Sequence, residues 1–92
     1  MTNNTLKKLI DALASIGYEI SELDDHYNRN TEHYRGDIKI LIYPISEPKT
    51  SFSKELFIKL VEIFFSLGYG IIEFNLGYKK VLGDIILVLQ TT

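Results

Sequence analysis

Two short stretches of this chain occur twice. Residues 15–20 read SIGYEI and residues 66–71 read SLGYGI; residues 36–42 read GDIKILI and residues 83–89 read GDIILVL. Apolar residues at helical spacing come before each member of the first pair, and two-residue alternation runs through each member of the second. The order helix–strand–strand is therefore expected twice in one chain, as pseudo-repeats over 3–43 and 51–90 of a single domain. Ninety-two residues leave no room for a second core.

The first helix rests on Leu6, Leu9, Ile10, Leu13 and Ile16, which recur as one stripe. Asn4 or Thr5 is the expected cap, and Gly17 suits the left-handed position just past the end. A strand is expected at 18–23 and another at 38–43, where Ile38, Ile40 and Ile42 point one way and Lys39, Leu41 and Tyr43 the other. Pro44 closes that strand by removing a ladder donor. The second helix is expected from Ser51 to Leu67, capped by Thr50 or Ser51 and stopped by Gly68. Strands at 69–76 and 85–90 follow, joined by a tight turn over Gly77–Lys80.

The strands at 38–43 and 85–90 are apolar on both faces, as central strands are, and the other two carry more polar residues, as edges do. The expected fold is α+β: a four-stranded antiparallel sheet in the order 1-2-4-3 with two helices on one face. The topology is that of a permuted ferredoxin-like sandwich.

Two apolar surfaces exceed what one core consumes. Leu41, Tyr43, Ile86 and Val88 would lie on the sheet face that no helix covers. The second helix is apolar on most sides, with only Glu55, Lys59, Glu62 and Ser66 in its polar line; Phe57 and Phe65 are its candidate self-association residues. Self-association as a homodimer is the expected use of these surfaces, sheet face to sheet face first and second helix to second helix next.

The segment DDHYNRNTEHYRGD, residues 24–37, makes the first hairpin loop four residues longer than the second. It carries both histidines of the chain. Asp25, His26, Tyr27, Arg29, Glu32, His33, Tyr34 and Arg35 form the candidate partner-binding loop, because a rigid ring and a planar guanidinium anchor interfaces at small entropic cost. Asp24, Asp25, Glu32 and Asp37 offset its arginines, so a protein partner is expected before nucleic acid. Imidazole with carboxylate suits zinc or iron, yet the spacing of His26 and His33 matches no metal signature, and no metal or other cofactor is expected.

Composition narrows the rest. A net charge of -2 gives no global pull toward nucleic acid or an anionic membrane, and the absence of cysteine excludes thiol chemistry, disulfides and Cys-ligated metals. No phosphate-binding loop, dinucleotide fingerprint or nucleophile elbow is present in the sequence. The N-terminal residues do not read as a signal peptide, so a cytoplasmic setting is expected. The leading expectation is a non-enzymatic protein-binding module, such as an inhibitor or immunity protein of a phage or mobile element. A homodimeric small-ligand regulator stands second, and a metal-dependent enzyme using His26 and His33 third.

Overall fold

A computed structural model describes residues 1–25, 38–45, 53–76 and 83–91. In chain order the elements are α1 (Asn3–Ser15), β1 (Tyr18–Asp24), β2 (Ile38–Pro44), α2 (Lys54–Ser66), β3 (Tyr69–Leu76) and β4 (Ile85–Thr91). The four strands form one antiparallel sheet in the order β1-β2-β4-β3, as the alternation patterns required. The turn expected at 77–80 lies outside the described residues.

Both helix starts differ from the sequence expectation. Thr2, not Asn4 or Thr5, caps α1, its hydroxyl accepting the Thr5 N–H at 3.1 Å. Ser53, not Thr50 or Ser51, caps α2 in the same manner, accepting the Leu56 N–H at 3.1 Å. Each cap stands in extended backbone and satisfies one of the amides that the first turn leaves without a partner. Choosing among neighbouring Ser, Thr and Asn residues is beyond local propensity, because all of them have a suitable oxygen.

The helices end as expected. Gly17 and Gly68 adopt φ of 85° and 91°, a region in which a side chain would strain the backbone, and so turn the chain from helix into strand. The N–H of Gly17 donates to Ala14 O and that of Gly68 to Phe65 O.

One face of the sheet makes the core. Ile38, Ile40 and Ile42 of β2 and Ile85, Leu87 and Leu89 of β4 are buried in a single cluster with Leu9 and Leu13 of α1 and Leu60 and Phe64 of α2. Tyr18 joins them at the start of β1, and burial pushes its phenol pKa up. The spacing of Leu9 with Leu13 and of Leu60 with Phe64 is about one helical turn, so each helix turns two adjacent residues into the core, α1 beside β1 and α2 beside β3.

Both edge strands are irregular at matching points. The register of β1 against β2 shifts between Ile20 and Glu22, and that of β3 against β4 shifts between Ile71 and Glu73. One extra residue in an edge strand bends it and sharpens its twist.

Candidate interaction surface

The sheet face away from the helices is narrower as an apolar surface than the sequence suggested. Cross-strand register sets Lys39, Val88 and Glu73 in one row and Glu22, Leu41, Ile86 and Asn75 in the next. Each row is polar at its rim and apolar only at its centre. Val88 is merely 2% exposed although no helix covers it. Its cross-strand neighbours are Lys39 and Glu73, whose aliphatic stems can lie over apolar surface while their charged heads stay in water. Leu41 and Ile86 are half-buried.

Tyr43, expected among the self-association residues, sits opposite Glu19 and donates its hydroxyl hydrogen to Glu19 Oε2 at 2.6 Å. That bond to a carboxylate, with burial and the carboxylate's charge as smaller causes, holds the Tyr43 phenol above its ordinary pKa. The Asn75 amide donates to Glu73 at 2.9 Å on the other edge. Polar pairs thus border this face on both sides.

The second helix is different. Around its axis Leu60 and Phe64 point into the core, with Leu56, Ile63 and Leu67 packed against it on one flank. Phe57, Val61 and Phe65 recur every fourth residue on the other flank, with Ile58 beside them, and all four are exposed. Phe65 is 68% exposed. The strip has a fixed position relative to the sheet. The Phe57 ring meets the Phe74 ring of β3 edge to face, with centroids 5.5 Å apart. The strip therefore runs along the side of α2 that borders the outer strand β3. Leu76, two residues beyond Phe74 on the same side of that strand, is exposed as well.

Of the residues expected on the partner-binding loop, only Asp25 is described. It is half-buried, with its carboxylate 3.6 Å from the amino group of Met1. His26, Tyr27, Arg29, Glu32, His33, Tyr34 and Arg35 lie outside the described residues. Among the described residues no group of His, Asp and Glu is placed to hold a metal ion. No helix among them is long and apolar enough to cross a membrane.

Phe57 and Phe65, named for self-association, share one flank of α2 with Ile58 and Val61, and Leu76 is exposed on the neighbouring strand β3; the sequence reading left these last three without a surface role. The signal for the helical members was present in the sequence. At 3.6 residues per turn, 57, 61 and 65 fall on one side of the helix, with 58 on the same flank. No family model matches the sequence, and no curated protein and no solved structure matches it either.

Proposed function

We propose that this chain is a non-enzymatic protein-binding module and that the exposed strip of α2 is its docking surface. The exposure of Phe65, in line with Phe57 and Val61 and beside Ile58, carries this reading. A contiguous apolar patch of this kind on a small domain marks a contact with another macromolecule, since water solvates it poorly. The 24–37 segment, with Tyr27, Arg29, Tyr34 and Arg35, supplies a second and polar contact region. Occupation of a partner's surface is how an inhibitor or immunity protein works, and we assign the chain to that type.

The same reading treats the two halves as copies of one αββ unit and the whole as a ferredoxin-like sandwich with permuted strands. Support comes from features that recur 51 positions apart: the caps Thr2 and Ser53, the positive-φ Gly17 and Gly68, and the register shifts after Ile20 and after Ile71.

The test is size-exclusion of the tagged chain in a lysate of its source cells, with wild type beside Phe65→Asp and beside Tyr27→Ala/Tyr34→Ala. The wild type is expected to elute in an assembly larger than one chain, and at least one variant to elute smaller. Identical elution of all three at the size of a single chain overturns the proposal.

A further inference from the structure

We infer that the protein docked on the α2 strip is a second copy of this chain, with the two α2 helices packed antiparallel across a twofold axis near Val61. The inference rests on the reading of the strip as a docking surface and names its occupant.

Three observations point to a second copy. The first is chemical. Phe57, Ile58, Val61 and Phe65 present no charge that calls for an opposite charge on a partner. An uncharged strip is complementary to itself, as a twofold contact requires. The second is electrostatic. Lys54 opens α2 on the same flank as the strip, and the last turn of α2 has no basic residue of its own. An antiparallel crossing centred on Val61 brings Lys54 of each copy to the carbonyl end of the other's helix, where the helix dipole favours a cation. A parallel crossing gives up this match and sets the two Lys54 side by side.

The third is dimensional. Packed helices lie about 8–10 Å apart and strands about 4.8 Å apart, so each helix covers the width of two strands. The Phe57–Phe74 contact sets the outer flank of α2 beside the outer strand β3, so the strip and Leu76 lie on one border of the domain. The exposed parts of the strip with Leu76 amount to roughly 400 Å² of apolar surface per copy. A standard interface buries about 800 Å² per partner, a little over half of it apolar, which this strip supplies.

The opposite edge argues the same way by contrast. The positions of α1 that match Ile58 and Phe65 are Lys7 and Ala14, and β1 carries Glu19, Glu22 and Asp24 where β3 has Gly70, Glu73 and Asn75. Charges on an edge keep other chains away. One side of the domain is guarded and the other is left open.

The experiment uses the purified full chain. Sedimentation equilibrium from low to high micromolar concentration is expected to give twice the chain mass at the upper end. Phe65→Asp and, separately, Ile58→Lys are expected to give a single-chain mass with an unchanged circular dichroism spectrum, while the α1 control Ile10→Asp leaves the dimer intact. Because the chain has no cysteine, Val61→Cys is expected to cross-link to its own copy under mild oxidation, and Ala14→Cys is not. A wild type that stays monomeric throughout overturns the second copy as occupant. If Phe65→Asp nevertheless shrinks the assembly seen in lysate, the docking surface stands and only its occupant changes; if it does not, both readings fall. A dimer that persists in both folded strip variants, or that cross-links through Ala14→Cys instead, overturns the inference as well.

Discussion

α1 and α2 solve the same folding problem and differ in what they show to water. Each is 13 residues long, begins at a hydroxyl cap, buries a pair of residues one turn apart and stops at a glycine with positive φ. Leu9 and Leu13 in one match Leu60 and Phe64 in the other. On its outer flank α1 has one exposed large apolar residue, Ile10, between Lys7 and Ala14, whereas α2 has Phe57, Ile58, Val61 and Phe65. Phe57 spends part of its ring on Phe74 of β3, whereas Ile58, Val61 and Phe65 are exposed beyond the pair that α2 buries in the core. An apolar side chain that the fold does not need points to something outside the fold.

That comparison yields graded expectations. The largest concerns neighbours in sequence. Phe64→Ala opens a cavity in the core and is expected to cost about 3–5 kcal/mol in urea unfolding of the dilute protein. Phe65→Ala is expected to change that value by less than about 0.5 kcal/mol. At high protein concentration Phe65→Ala should lower the melting temperature, since association stabilises the native state by mass action. Equal costs for the two alanines at low concentration would mean that Phe65 is part of the core after all.

Next come the helix stops. Gly17→Ala and Gly68→Ala should each cost about 1–2 kcal/mol in the same assay, because both force a side chain into the left-handed region. At Gly68 an added Cβ meets no atom within 4 Å, so strain alone sets the loss there. The caps follow. Thr2→Ala and Ser53→Ala are expected to cost about 1 kcal/mol each, equally in the two halves. A marked inequality would mean that one helix depends on its cap and the other on packing.

The smallest effect lies on the open sheet face. The Tyr43 phenol is raised above the ordinary value of 10.0. A raised folded value favours the neutral phenol, so the stability it contributes is full below the ordinary phenol range and fades as pH rises through the folded value. Glu19→Gln removes the carboxylate and should shift the Tyr43 titration, followed by the NMR signals of its ring, to lower pH. An unmoved titration would show that Glu19 does not govern Tyr43.

Much of the fold could be read from the residues. The alternation of Ile38, Ile40 and Ile42, and of Ile85, Leu87 and Leu89, gave the central strands, their inner face and the strand order. The caps were misplaced because Thr2 and Ser53 have equally suitable neighbours. The register shifts after Ile20 and Ile71 could not be foreseen, since an extra residue in a strand leaves the composition unchanged and alters only what lies opposite. The surface was legible in part. Phe57 and Phe65 belonged to the apolar residues beyond one stripe of the second helix, whereas the burial of Val88 on the face without a helix left no mark in the alternation pattern.

The irregularity of the two outer strands bears on how many copies can gather. A sheet with two straight, open borders can add chain after chain and grow into a fibre. Here each border is bent by an extra residue, and the β1 border also carries Glu19, Glu22 and Asp24. With the α2 side occupied as inferred above, the side that remains would be the one with the β1 register shift and its acidic residues, and addition is expected to end there.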